Sequence, residues 1–310
     1  MRIFIELPTW LGDTVMVTPA LENIRAKYPH AEYFMMGSKV SIDLMNSFPG
    51  LVESYLTPKT IKLTLELKNQ QIYYDMAFSF RSSFRSKIFL KLINSNKKFQ
   101  YDKSSHVSGH QVSRYNDFVN ESININTKPG NLTLYTKKRN SGLKNQIGIN
   151  PGAAFGSAKR WTTSGFCAVA EELSKDHEIL IFGSKAESDI CKEIENCLNK
   201  RGVLRFKNLC GQTSIGGLVE MIKDLKLFIT GDSGPMHIAA AFQVPTISIF
   251  GPTRDNETCQ WNNKISKIIK TNLPCQPCME RVCPLSHHKC MEEITSGNVL
   301  EEIQRLFKKF

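Results

Sequence analysis

Short β-like runs alternate with helical stretches twice along this chain, and the second series starts afresh near residue 146. In the first series "RIFIEL" is expected as a strand and Thr14 to Tyr28 as a helix. "EYFMMG" and "YDMAFSF" are the next strands, Ser83 to Asn94 is a helix, and "KKFQY" and "LTLY" are further short strands. In the second series "IGIN" is a strand, a helix starts near Ser164, "EILIFG" is a strand and Glu187 to Asn199 a helix. "LFIT" and "TISIF" then flank a helix from Gly234 to Phe242. The polar stretch from Thr136 to Gln146 is expected to be the linker. Two successive β-α-β-α series predict an α/β protein of two parallel-sheet domains, with ligands in the cleft between them. The tail from Ser296 to Lys309 has helical spacing at Val299, Ile303, Leu306 and Phe307.

The chain of 310 residues is long enough for two cores, and 41% hydrophobic with 22% charged residues is ordinary for a soluble globular protein. No window holds about eighteen apolar residues free of charge or proline, and Pro8 and Asp13 interrupt the opening apolar run. Neither a membrane span nor a signal peptide is expected, and the location expected is cytoplasmic. Nine cysteines then suggest reduced thiols and not a disulfide scaffold. The net charge of +11 is lopsided: residues 1–145 hold 20 Lys/Arg against 11 Asp/Glu, and 146–310 hold 20 against 18. The first half is therefore suited to a polyanionic partner.

Three strand ends in the second series carry candidate site residues. "ITGDSGPMHIAAAFQVPTISIFGPT" runs a strand into Asp232, Ser233 and Gly234, and a helix begins at once. Backbone N–H groups and the helix dipole at such a turn suit a diphosphate, and His237 lies on the first turn. Alternatively, Asp232 and Ser233 cap the helix and His237 is merely packed. "NPGAAFGSAKRW" is small and Gly-rich, so a ligand can approach its backbone, and Lys159 and Arg160 add charge. "FGSKAESD" places Glu187 where it can accept from ribose hydroxyls, or serve as a first-turn carboxylate. Neither a G-x-x-x-x-G-K-[ST] string nor a G-x-G-x-x-G string after the first strand is present, which argues against a P-loop enzyme and a dinucleotide dehydrogenase. In the first series, Asp13 in "TWLGDTVMVTPAL" is either a helix cap or a carboxylate aimed at a ligand from a strand's carboxyl end.

The segments "LGDTVMVTPAL", "PGAAFGSAKRW" and "GDSGPMHIAAAFQVPTISIFGPT" resemble the signature segments of glycosyltransferase family 9, the ADP-heptose–lipopolysaccharide heptosyltransferases. The likeness runs from Arg2 to the last helix, and with the later Cys/His segment it is closer to the type II branch than to type I. It implies a GT-B fold of two Rossmann-like domains facing an interdomain cleft. Residues 1–140 would bind the acceptor and 141–295 the ADP-sugar, and the helix at 296–310 would pack back toward the N-terminal domain. It also implies inverting, metal-independent transfer of L-glycero-D-manno-heptose from ADP-heptose to the inner core on a lipid A–Kdo–heptose acceptor, with no cofactor. By this resemblance Asp13 is the catalytic base and Lys159 binds phosphate. Glu187 holds the ribose, Thr213 in "GQTS" lies by the adenine, and Asp232, Ser233, Gly234 and His237 complete the donor site. One departure is Thr162, where many relatives have proline after the tryptophan. Alternatives are a type I enzyme, another family 9 transferase with a different donor or acceptor, and a sugar-nucleotide or lipid A binder without turnover.

Residues 81–103 hold seven Lys/Arg and one acid, Asp102. Arg81, Arg85 and Lys87 are the candidate acceptor contacts, with Arg81/Arg85 and Lys87/Lys91 spaced to share helix faces. The expected partners are lipid A phosphates and the anionic inner leaflet, with the protein peripheral at the cytoplasmic face of the inner membrane. A nucleic-acid partner is not expected, since no recognition motif is present. In "CQPCMERVCPLSHHKC", Cys275, Cys278, Cys283 and Cys290 with His287 and His288 offer ligands enough for zinc. Free thiols without a metal are the expected state, with the zinc site as the alternative.

Overall fold

The structure, a computed structural model, describes residues 1–57, 72–136 and 145–308. Its contacts divide the chain into two units, Met1–Lys137 and Lys138–Phe310. Of the expected linker, residues 137–144 lie outside the described residues.

The first unit is built on five parallel strands: β1 (Arg2–Glu6), β2 (Glu32–Gly37), β3 (Leu51–Leu56), β4 (Tyr74–Ser79) and β5 (Ser95–Gln100), in the spatial order β3-β2-β1-β4-β5. The first strand is central, and the chain switches from one side of it to the other between β3 and β4. Helices α1 (Leu11–Met16), α2 (Thr18–Lys27), α3 (Lys39–Met45), α4 (Phe84–Leu92) and α5 (Gln111–Ile123) accompany the sheet. The single helix expected over Thr14–Tyr28 is thus two: α1 ends at Met16, and Pro19 sits in the first turn of α2, where its missing N–H costs nothing. "LTLY" forms no strand. Leu132 is buried, the Thr133 N–H donates to Thr18 Oγ1 (3.0 Å), and the Tyr135 hydroxyl donates to Glu22 (2.9 Å). This segment lies against α2 because side chains of that helix take up its polar groups. Sequence reading passed over β3 and α5.

The second unit has six parallel strands: β6 (Gln146–Asn150), β7 (Glu178–Ile181), β8 (Phe206–Asn208), β9 (Leu227–Gly231), β10 (Thr246–Phe250) and β11 (Ser266–Lys270). Their order is β11-β10-β9-β6-β7-β8, again with the first strand of the unit inside and a switch beside it. Helices α6 (Thr163–Leu173), α7 (Ser188–Lys200), α8 (Ile215–Lys223) and α9 (Gly234–Ala241) connect the strands, and short α10 (Asp255–Thr258) and α11 (Lys289–Glu292) follow. The last helix, α12 (Ser296–Phe307), belongs to this unit: Val299, Ile303 and Leu306 are part of its core, with Ile149, Phe166 and Ile247. Thr162 is the N-cap of α6, its Oγ1 accepting from the Gly165 N–H (3.1 Å), so the residue that departs from proline starts the helix by capping it. The expectation of reduced thiols fails at one place. Cys167 on α6 and Cys197 on α7 form a disulfide, since the paired helices bring their Cα atoms to 6.3 Å, within bridging reach.

At the switch beside β1, the last rung pairs Glu6 with Ser79. Glu6 is 2% exposed and accepts from Ser79 Oγ (2.5 Å), Ser86 Oγ (3.0 Å) and Arg81 Nη1 (3.4 Å). Burial raises its pKa above the ordinary carboxylate value, against the opposing pull of Ser79, Arg81, Ser86 and Arg85. A raised folded-state pKa means that the contribution of Glu6 to stability is full below the unfolded value and is lost as pH rises through the folded one. Glu6→Gln removes that loss. Melting temperatures of the two proteins from about pH 5 to 8 are expected to diverge in favour of the variant; a gap that is constant or closes contradicts this account of Glu6.

Candidate functional site

Parallel strands deliver their following loops to one sheet edge, and the loops on either side of a switch are the ones with room for a ligand between them. In the second unit those are the loops after β6 and β9. The last rung there pairs Asn150 with Thr230. Asn150 Nδ2 donates to Ser233 Oγ (3.3 Å), and Ser233 Oγ lies 2.9 Å from Thr230 Oγ1. Ser233 has the backbone position of the α9 N-cap, yet its side chain makes no capping bond. Asp232 is likewise engaged elsewhere. Its carboxylate pairs with Lys159 Nζ at 2.5 Å and accepts from Thr253 Oγ1 at 2.7 Å. The capping reading of Asp232 and Ser233 is therefore incorrect. The N-terminal turn of α9, beginning at Gly234, keeps its partial positive charge at the switch. His237, one turn in, is buried.

Lys159 closes a short 3-10 turn, Ser157–Lys159, and its ammonium also sits 4.7 Å from the centre of the Phe155 ring. Lys159 and Asp232 are 13% and 6% exposed, so their attraction is weakly screened. The pair ties the loop after β6 to the turn after β9 across the switch.

Glu187 arrives from the loop after β7. Its Oε2 accepts from the Ser184 N–H (2.7 Å) and Ser184 Oγ (2.8 Å), a capping box at the entry to α7, so its first-turn role is real. The same carboxylate lies against Gly152: a Cβ there would stand 2.0 Å from Glu187 Oε1. Glycine is required for Glu187 to reach the loop that carries Lys159. Thr213, half-buried, lies in the loop after β8 and directly precedes Ser214, the N-cap of α8. Lys159, Glu187, Thr213 and Asp232 thus follow four neighbouring strands at one sheet edge.

The Cys/His segment braces the Lys159 loop. The Arg281 carbonyl accepts from the Ala158 N–H (3.0 Å), and a Cβ on Gly156 would meet that carbonyl at 2.2 Å. His288 Nε2 bonds the Ala158 carbonyl (3.0 Å), and His287 Nδ1 accepts from the Lys289 N–H (3.1 Å). Cys275, Cys278, Cys283 and Cys290 line one small pocket with Ala158, and burial with the neighbouring thiols pushes Cys290 up to about 11. Among the described residues no group of three or more His, Cys, Asp or Glu is arranged to hold a metal ion. Sequence reading saw the ligand types in this segment but not its bracing role, which depends on contacts more than a hundred residues away.

In the first unit, Asp13 lies in the first turn of α1, but the N-cap is Trp10, so Asp13 is not the cap. Side-chain hydroxyls hold the turn before it: Ser41 donates to the Pro8 carbonyl (2.7 Å), Ser38 to that of Thr9 (2.9 Å) and Thr14 to that of Trp10 (2.9 Å). Tyr115, on α5, lies close enough to Asp13 for the charge of the carboxylate to act on its phenol. Burial and then the charge of Asp13 raise the Tyr115 pKa, so the phenol stays protonated. Tyr101 packs beside it, the rings tilted with centres 5.0 Å apart, and its hydroxyl accepts from Gln111 Nε2 (3.2 Å). Sequence reading missed these tyrosines, although Val112, Tyr115, Phe118, Val119 and Ile123 carry a helical apolar period.

Arg81 precedes the N-cap of α4, Ser83, so Arg81 and Arg85 are not a helix-face pair. The Arg81 guanidinium instead faces Glu6. Arg85, Lys87 and Lys91 are on the helix and exposed.

Residues 60–289 match the family described as Glycosyltransferase family 9 (heptosyltransferase). The chain is 42% identical over 316 residues to lipooligosaccharide heptosyltransferase 2 of a Campylobacter jejuni strain, covering 99% of each sequence. It is similar to the solved structure of E. coli ADP-heptose LPS heptosyltransferase II, with a TM-score of 0.83, 24% identity and coverage of 100% and 99%. It is also similar to E. coli heptosyltransferase WaaC with ADP, with a TM-score of 0.79, 14% identity and coverage of 99% and 100%. The two parallel-sheet units are those of this GT-B class.

The Lys159–Asp232 pair yields a stability test. Lys159→Ala strands a buried carboxylate and is expected to cost about 3–5 kcal/mol. The Lys159→Ala/Asp232→Ala double variant is expected to cost less than Lys159→Ala alone. Urea denaturation of the wild type, both single variants and the double variant measures the coupling, and additive losses contradict a paired role.

Proposed function

From the premise that the chain belongs to glycosyltransferase family 9 and is a glycosyltransferase, we propose that it moves L-glycero-D-manno-heptose from ADP-heptose to the inner core of lipopolysaccharide or lipooligosaccharide, adding the second heptose. The observation that carries this reading is the placement of Lys159 and the α9 N-terminus at the one sheet switch of the second unit, a site matched to a diphosphate.

In this reading residues 141–295 hold the donor and residues 1–140 the acceptor. Lys159, Ser233, Gly234 and the α9 dipole take the diphosphate, and His237 lies one turn further along. Glu187 accepts from the ribose hydroxyls through the carboxylate face turned to Gly152, and Thr213 lies by the adenine. Asp13 takes the proton of the acceptor hydroxyl as its oxygen attacks the anomeric carbon. The bond from that carbon to the diphosphate oxygen breaks, its electron pair leaves with ADP, and the configuration inverts. Positive charge and N–H donors stabilise the leaving group, so the step needs no metal. The protonated phenol of Tyr115 beside Asp13 supports this role, since it leaves the carboxylate as the group that takes the proton. The acceptor is a lipid A–Kdo–heptose glycan met at the cytoplasmic face of the inner membrane. Arg85 and Lys87 face its phosphates, and Arg81, which also neutralises Glu6, lies beside them. No helix among the described residues is long and apolar enough to cross a membrane, and the basic first half supports a peripheral association.

The test is incubation with ADP-heptose and defined truncated core acceptors in EDTA, with the glycolipid read by mass spectrometry. One added heptose on a one-heptose core is expected. Addition only to a heptose-free core points to the first transfer, and dependence on added metal overturns the metal-free step. Asp13→Asn keeps size and removes the proton acceptor. It is expected to bind ADP-heptose normally and to turn over roughly a hundredfold more slowly or worse. Near wild-type transfer by a folded Asn variant rules Asp13 out as the base.

A further inference from the structure

Helix α4 separates its residues cleanly. At about 100° per residue, Ser86, Phe89 and Leu90 face the sheet, while Phe84, Ile88 and Lys91 fall on the opposite side. The first three are buried, and Phe89 and Leu90 join the core of Phe4, Phe34 and Tyr74. On the outer face Phe84 is 77% exposed and Ile88 36%. Arg85, Lys87 and Lys91 flank them, and the helix sequence FRSKIFLKL contains no acid. Among the described residues, neither side chain of this apolar pair, one turn apart inside a ring of cations, joins the core of Phe4, Phe34 and Tyr74. The sheet edge where α4 begins carries two more exposed apolar side chains, Trp10 in the loop after β1 and Val107 in the loop after β5.

We infer that the outer face of α4 is a docking surface for an anionic lipid bilayer, with Phe84 and Ile88 entering the headgroup–acyl boundary and Arg85, Lys87 and Lys91 lying among the headgroup phosphates. This rests on the proposal that the protein works at a membrane, and it adds which residues make the contact. An interfacial helix needs an apolar stripe to insert and a cationic rim to hold it there, and α4 has both. A second copy of this chain is a poor occupant, because it brings the same positive charge to the same face. Phe84 and Ile88 lie on the face of the helix opposite Ser86, Phe89 and Leu90, so inserting them leaves the buried face in place.

The experiment is co-sedimentation of the full chain with phosphatidylcholine vesicles, with and without phosphatidylglycerol, for the wild type and for Phe84→Ser/Ile88→Ser. Transfer to a deacylated, water-soluble acceptor checks that the variant is folded and active. The wild type is expected to bind the anionic vesicles. The variant is expected to bind them about tenfold more weakly or worse, as fits two lost apolar side chains, with unchanged transfer to the soluble acceptor. Equal binding by wild type and variant overturns the α4 surface while leaving membrane association in place. No binding of the wild type to anionic vesicles overturns both. Self-association of the wild type without vesicles, abolished in the variant, assigns the face to a second copy and also overturns the proposal.

Discussion

The ion pair between Lys159 and Asp232 is the contact on which the arrangement at the sheet switch of the second unit depends. Lys159 belongs to a loop with little regular structure, and Asp232 to a turn set rigidly between β9 and α9. Joining them fixes the loop to the turn across the sheet switch. The rest of the loop is held from behind by the Arg281 carbonyl and His288, which meet Ala158, the residue before Lys159. A side chain at Gly156 would collide with the Arg281 carbonyl, and one at Gly152 would displace the Glu187 carboxylate. The result is a preorganised cation beside a helix N-terminus, the arrangement that stabilises a departing diphosphate without reorganisation at the moment of reaction.

The two units solve the same problem in the same way. Each puts its first strand in the interior of a parallel sheet and ends the switch-side rung in a polar pair, Glu6 with Ser79 in one and Asn150 with Thr230 in the other. The polar side chains cannot be left unsatisfied, so they organise the loops above them. Glu6 gathers Ser79, Ser86 and Arg81, which sets the start of α4. Asn150 reaches Ser233, which sets the start of α9. The chemistry proposed for each unit sits one loop away: Asp13 beside Tyr115, and Lys159 held by Asp232.

Strand positions were legible in the sequence where apolar runs were continuous, as at "RIFIEL", "EYFMMG", "IGIN" and "TISIF", because strands buried on both faces need no alternation. β3, "LVESYL", was not, because its central residues are exposed and polar. "LTLY" misled for the opposite reason: its alternation suits a strand, but its partners are the Thr18 and Glu22 side chains of a helix. The segments that carry Lys159 and Asp232 stood out as candidates because glycine, small residues and a cation cluster locally. Tyr115 was not tied to Asp13, since a contact across about a hundred residues leaves no local mark. The same holds for the disulfide between Cys167 and Cys197, which only the packing of α6 on α7 determines. The capping roles given to Asp13, Asp232 and Ser233 failed because residue type suggests a cap while the backbone position and competing partners decide it.

If Lys159 is held ready for a diphosphate, the donor must compete with Asp232 for the ammonium. Calorimetric titration of ADP into the wild type, Lys159→Gln and Asp232→Asn tests this directly. The account predicts that Lys159→Gln weakens ADP binding about tenfold or more through a lost charge-assisted contact. It predicts that Asp232→Asn binds ADP at least as tightly as the wild type, because the amide oxygen can still accept from Lys159 and keep the loop in place while the competing charge is gone. Loss of ADP affinity in Asp232→Asn equal to that in Lys159→Gln, or no loss in Lys159→Gln, contradicts it.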